Sequence, residues 1–216
     1  MILGFVGNPD FGAETLTQGS VGYRAQVGAA LSIDVVAFRG EYDGLATAEP
    51  LDPVFVVSPE TPHVLAALHN ENLLDATTRG LEVSGEWAPL DAWRLHGSYS
   101  WLRLTPRVDG SSRDEAARSF DGNAPRAQWQ GHASYRPSAA FRIDASVYRV
   151  GSLRQLGIPA YTRVDARAER QIAHGLSASV AAQNLFEAAH AEFSGITLAP
   201  ALIPRSWHAQ LRWTFQ

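Results

Sequence analysis

Two groups of side chains in this sequence could do chemistry. His63 and His69 share the stretch 43–74 with Asp43, Glu49, Asp52, Glu60 and Glu71, and Asp75 follows it directly. Such a segment could hold a cation or a polar ligand, because loops carry much of a protein's function. The His-x5-His spacing matches no recognised metal motif, and the preferred reading is a solvated acidic loop. The second group is spread out. His96, His132 and His208 recur with Arg94, Arg142, Asp144, Arg163, Asp165, Arg167, Glu169 and Arg212 at every second position of their segments. These residues could line a polar path or touch another polypeptide. The alternative, preferred here, is a ladder of cross-strand charge pairs, each worth about 0.2–1 kcal/mol.

Enzyme chemistry finds little support. Ser, His and Asp are all present, but there is no G-x-S-x-G, no glycine-rich phosphate loop and no H-E-x-x-H. Cysteine is absent, which excludes a thiolate metal site, a cysteine nucleophile and a disulfide scaffold. We therefore assign no catalytic residue, no cofactor-binding residue and no metal site, and leave the ligand-contacting residues unassigned. The net charge of -4, with all 18 basic residues arginine, leaves no nucleic-acid footprint.

The elements that must position these side chains follow from period two. In the last segment Trp207, Ala209, Leu211, Trp213 and Phe215 alternate with Ser206, His208, Gln210, Arg212 and Thr214. The same alternation sets Phe141, Ile143, Ala145 and Val147 against Arg142, Asp144, Ser146 and Tyr148. It recurs around Val164, Leu81, Trp93, Trp129, Val21, Leu31 and Leu176. Strict alternation means strands with one apolar and one polar face. Nine strands are expected, at roughly 17–28, 31–42, 75–88, 92–104, 125–137, 140–151, 161–173, 175–185 and 205–215. Most reach the 9–11 residues that a tilted strand needs to cross a bilayer, where soluble strands are nearer five or six. No run approaches the roughly 20 apolar residues of a membrane-spanning helix.

Connections alternate in length. Tight turns fall at Gly28–Ala30, Pro89–Asp91, Pro137–Ala139 and Ala173–Gly175, and long segments at 43–74, 105–124 and 186–204. Outer-membrane barrels have short periplasmic turns and long extracellular loops, with aromatic residues at both interfaces. The fold expected is therefore all-β: one domain over 1–216, an antiparallel meander forming an arc of a transmembrane β-barrel. Nine is odd where single-chain bacterial barrels have even strand numbers, and open edges in lipid are untenable. The start, Met1-Ile-Leu-Gly-Phe-Val-Gly, is not a secretory signal. Together these point to the C-terminal part of a larger barrel.

Particular residues carry a family resemblance. Gly7-Asn8-Pro9-Asp10-Phe11, then Glu14, then Val21-Gly22-Tyr23-Arg24, resembles the segment that leads into a descending strand of TonB-dependent receptors. Gly80-Leu81-Glu82-Val83, Tyr161-Thr162-Arg163-Val164-Asp165-Ala166-Arg167 and Gln183-Asn184-Leu185-Phe186 with His190 and Phe193 resemble later strands of that family. Ile203-Pro204-Arg205-Ser206, running into Trp213-Thr214-Phe215, resembles its closing strand. Gly19-Ser20, Ala13 and the terminal Gln216 depart from the pattern.

The resemblance implies an outer-membrane barrel with a plugged lumen that imports a scarce ligand: a ferric siderophore, haem or cobalamin. It implies as partners the outer-membrane lipid, the absent N-terminal strands and plug, the TonB complex and the transported ligand. A small porin-like channel closed by oligomerisation, or a soluble all-β binding module, are the alternatives. Exposure of Trp207, Leu211, Trp213 and Phe215 would distinguish a membrane wall from a packed core.

Overall fold

In the computed structural model, residues 1–57, 61–194 and 201–215 are described. The strands are β1 (Ile2–Val6), β2 (Thr15–Val27), β3 (Leu31–Pro50), β4 (Val54–Val56), β5 (His63–Trp87) and β6 (Trp93–Val108). A 3-10 segment, Ala117–Asn123, precedes β7 (Ala127–Ser138), β8 (Phe141–Val150), β9 (Tyr161–Ala173) and β10 (Leu176–Gln183). Then come β11 (Ala189–Phe193), β12 (Ala201–Pro204) and β13 (Ser206–Trp213).

The hydrogen-bonded order is β2-β3-β5-β6-β7-β8-β9-β10-β13. These are the nine long strands expected from period two, each beside its neighbour in sequence. β6 through β10 and β13 pair antiparallel. Among the described residues nothing pairs β2 with β13, so the sheet is not closed.

The structure corrects the extent of three connections. β3 persists to Pro50 and β5 begins at His63, so most of 43–74 is strand. Strand pairing satisfies backbone groups that a long loop would leave to water, and nothing confines a strand to the bilayer thickness once it has left the lipid. The stretch 105–124 holds the end of β6 and the 3-10 segment, and 186–204 holds the separate β11–β12 ladder. Residues 195–200 of that stretch lie outside the described residues.

The chain divides into two compact units. The first comprises Met1–Ser20, Phe38–Arg79 and Arg103–Asp121. Here β1 runs parallel to β5 (Ile2↔Leu65 to Val6↔His69), while β4 pairs antiparallel with the same stretch (Val54↔Leu65). Leu65 is thus bonded on both edges. Leu74 is 1% exposed, and Ala67, Ala76, Thr47, Glu49, Thr78 and Ser112 are buried as well. β3 kinks at Gly44, whose φ of 65° suits glycine.

The second unit comprises Val21–Ala37, Gly80–Leu102 and Gly122–Gln216. Its turns are tight; Gly175 has φ 73°, and a Cβ there would lie 2.5 Å from the Thr214 carbonyl oxygen. The apolar row is bare: Trp207 and Trp213 are each 66% exposed, and Leu211, Phe215, Val180, Val21 and Tyr23 are exposed too. A soluble protein would cover so long an apolar row. Trp93 stacks on its register partner Tyr135, ring centroids 4.5 Å apart, beside a short turn, where a barrel carries its aromatic girdle.

Candidate functional site

The polar face of the second unit is built by alternation alone. Registers place His96 opposite His132, His132 opposite Ser146, and Ser146 opposite Asp165. One row along, Asp144 faces Arg167, and beyond it Arg142 faces Glu169. These four charges form a two-by-two checkerboard. The sequence reading anticipated pairing across strands, and the register supplies it. The closest contacts, however, include pairs along single strands: Arg142 to Asp144 at 2.8 Å and Arg163 to Asp165 at 2.7 Å. Arg167 meets Glu169 in the same way. Residues i and i+2 share a face, and arginine is long enough to span the gap. Arg163 also lies over the ring of Tyr148, its cross-strand partner, 5.6 Å from the centroid.

Near the short turn between β5 and β6 this face carries an open cavity of about 410 Å³. Glu86, Asp91, Arg94, His96, His132, Ser134, Arg136 and Arg142 line it, with Trp87 and Leu95. His132 Nδ1 lies 2.9 Å from Ser146 Oγ, and its Nε2 lies 3.6 Å from Asp144 Oδ1. His96 Nδ1 lies 3.9 Å from Glu86 Oε1. Both rings are partly exposed.

A second cluster joins the far end of β9 to β11. Tyr161 stacks on His190 with centroids 4.2 Å apart. His190, 7% exposed, bonds Glu192 through Nε2 at 3.0 Å. Its Nδ1 has no hydrogen-bond partner, although Glu187 Oε2 is 3.7 Å away. Asp165, held by Arg163, accepts the Asn184 N–H at 3.0 Å. Asn184 is fully buried, has φ 55°, and donates through Nδ2 to the Ile203 carbonyl. Asn tolerates the left-handed region better than most residues. This buried knot ties β9 to the strand end after β10 and to β12.

The first unit has its own clasp. Glu49 is buried and accepts from Ser112 Oγ and from the Arg113 N–H, each at 2.6 Å. Arg113 reaches the Pro50 carbonyl and Asp52. Asp114 accepts the Ala48 N–H and also caps the 3-10 segment through Ala116 and Ala117. Glu49 is the nineteenth residue of the 20-residue β3, a strand longer than the 9–11 residues that a tilted strand needs to cross a bilayer. Burial pushes its carboxyl pKa up, but hydrogen bonds from Ser112, Arg113 and Thr47, with the charge of His69, outweigh this and hold it below the usual 4.5. The Gly7–Glu14 segment is fastened too. Asn8 donates to the Asn70 carbonyl, the Gly12 N–H donates to Asn72 Oδ1, and Glu14 accepts the Ala46 N–H.

The histidines of 43–74, where the sequence favours a solvated acidic loop over a ligand-binding group, do not gather. His63 and His69 stand six residues apart on one strand, about 20 Å at the strand rise. His63 is turned to the Thr61 carbonyl and His69 to Glu71. Asp75 serves the Gly44 N–H and Arg107 instead. Asp43 is exposed, and Glu60 lies outside the described residues. His208 bonds Ser206 Oγ on the polar side of β13, where Arg212 is exposed. The Glu49 clasp escaped the sequence reading because its partners lie 63 and 64 residues away. The Asp109-Gly110-Ser111-Ser112 turn was the only local hint of it.

A family model described as TonB dependent receptor-like, beta-barrel matches residues 3–185. No curated protein sequence matches the chain. Three solved structures illustrate the structural likeness. The siderophore receptor PirA from Acinetobacter baumannii is 14% identical with a TM-score of 0.69, over 98% of this chain and 33% of that one. The ferric-catecholate import receptor Fiu from Escherichia coli K12 is 17% identical with a TM-score of 0.68, over 96% and 29%. The ferripyoverdine receptor of the Pseudomonas aeruginosa outer membrane is 18% identical with a TM-score of 0.67, over 93% and 27%. At these identities the likeness is one of fold. The chain spans a third or less of the length of each.

Proposed function

Since the chain belongs to the TonB-dependent receptor β-barrel family of the outer membrane, we propose that it is the C-terminal arc of a receptor importing a scarce ligand of the ferric siderophore, haem or cobalamin class. The carrying observation is the unclosed sheet whose apolar row is bare and whose polar row compensates its own charges. Such a wall fits lipid on one side and a polar lumen on the other. Free ends at β2 and β13 call for further strands, since unpaired backbone groups in lipid cost several kcal/mol each. On this reading those strands and a plug come from the N-terminal part of the receptor, which also contacts TonB, and the arc alone does not transport. The strand extensions beyond the lipid, with β1, β4 and the Glu49 clasp, belong to the extracellular side. The ligand class is supported by the siderophore receptors among the similar folds. Catalysis forms no part of this role, in keeping with a family of receptors.

Uptake by cells tests this. Cells producing the whole receptor should accumulate one labelled ligand of these classes, and deleting residues 1–216 or de-energising TonB should abolish that. Equal uptake of every such ligand with and without the chain would overturn the reading.

A further inference from the structure

The polar face holds two imidazoles in direct opposition. His96 on β6 and His132 on β7 are register partners. Residues so placed have Cβ atoms about 4.5–5.5 Å apart, and both side chains must leave the sheet on the same side. Both border the 410 Å³ cavity. We propose that His96 and His132 form a two-nitrogen seat for a late divalent transition ion, Cu²⁺, Ni²⁺ or Zn²⁺, on the lumenal wall.

Three observations favour an ion over a pair of idle polar side chains. The Ser146 hydroxyl engages His132 Nδ1, which fixes the ring and leaves Nε2 for a metal. A hydrogen bond to the other ring nitrogen is the usual support of a metal-ligating histidine. Glu86 stands 3.9 Å from His96 Nδ1, beyond hydrogen-bond reach. Asp144, itself paired with Arg142, is 3.6 Å from His132 Nε2, so each ring has a carboxylate nearby on a lining that also carries Arg94 and Arg136. The cavity leaves room for water to complete the coordination.

The chemistry narrows the ion. Imidazole ligands suit zinc, copper and nickel, whereas magnesium and calcium want oxygen. Among the described residues no group of three or more His, Cys, Asp and Glu side chains closes on an ion. The seat therefore has two protein nitrogens with water in the other positions. Such an ion exchanges readily, as a site along a permeation path requires and a structural zinc does not.

The test uses the whole receptor that carries this chain, untagged and folded in detergent micelles. One equivalent of Cu²⁺ should give an electron paramagnetic resonance spectrum with coupling to two imidazole nitrogens. His96→Gln and His132→Gln should each abolish the two-nitrogen pattern and weaken Ni²⁺ binding about ten-fold or more, since the second ligand then no longer adds its effective concentration. His208→Gln, on another strand of the same face, should change neither. Unchanged binding in His96→Gln and His132→Gln overturns the proposal. Should those variants fail to fold, Zn²⁺ protection of the unmodified receptor against diethylpyrocarbonate decides, read by peptide mass spectrometry. Joint protection of His96 and His132 supports the seat, and any other pattern overturns it.

Discussion

Arg163 holds Asp165, two residues farther along β9, through contacts of 2.7 and 2.9 Å, and the held carboxylate accepts the backbone N–H of Asn184. One side chain thereby links a charge pair on the wall to the fold of the segment after β10. Asp165→Ala should remove both bonds and cost about 1–3 kcal/mol, the penalty of a part-buried donor left without its acceptor. Asp165→Asn keeps an acceptor for the Asn184 N–H and should cost less. Urea unfolding from micelles, followed by tryptophan fluorescence, measures both; equal costs would contradict the link.

Asn184 separates backbone strain from side-chain bonding. Asn184→Ala puts a Cβ without the amide at φ 55° and should cost about 1–3 kcal/mol. Asn184→Gly relieves the backbone and loses the bond to the Ile203 carbonyl, so it should cost about 1 kcal/mol. Alanine more damaging than glycine is the expected order in the same unfolding assay. Equal costs would mean that the lost amide, common to both variants, dominates over the left-handed backbone.

The two faces make opposite demands on charge. Val180 on β10 pairs in register with Ala209, and Gln210 is the next residue on β13 but points to the other face. Val180→Arg should cost about 2–4 kcal/mol at the depth of the bilayer midplane and less nearer the interface. Gln210→Arg should be tolerated on the polar side. Assembly of the whole receptor into liposomes, scored by heat-modifiable gel mobility, reads the difference. Equal tolerance would place both side chains in water.

Glu49 predicts a pH response in the clasp of the first unit. Its folded pKa lies below the unfolded 4.5. Its contribution is therefore fully present above 4.5 and is lost as pH falls through the folded value. Hydrogen-exchange protection at the Arg113 N–H, corrected for the intrinsic rate, should be level above about pH 4.5 and fall below it. Glu49→Gln should flatten that profile, and an unchanged profile would show that Glu49 does not govern the clasp.

Much of the fold was legible because a two-sided wall imposes its pattern on every strand. The expected 161–173 is β9 to the residue, and 140–151 and 205–215 lie within two residues of β8 and β13. Errors gathered where the wall ends. Toward the Pro50 end of β3 and the His63 end of β5 the strands continue for many residues whose burial follows local packing: Leu74 and Thr47 are buried beside bonded polar residues such as Glu49 and Ser112. No period-two rule announces that environment, so a strand extension looked like an acidic loop. The candidate sites divide in the same way. The sequence placed His96 and His132 on one face, but only the register made them partners. His190 stood out through its motif, while its stacking on Tyr161 and its bond to Glu192 did not.

By itself, the sequence determined which face of each strand meets lipid and which stays polar. Alternation is a property of the chain's own geometry, and an arginine in the wrong row carries a heavy penalty. It also carried the family, through short motifs whose order survives where overall identity does not. Tertiary structure decided the rest: where β3 and β5 stop, which charges close along a strand, how Glu49 finds Ser112, and which histidine faces which. Those depend on register and on contacts between residues far apart in sequence. A shift of one residue in pairing would leave every alternating row intact in the sequence and change every partner on the wall.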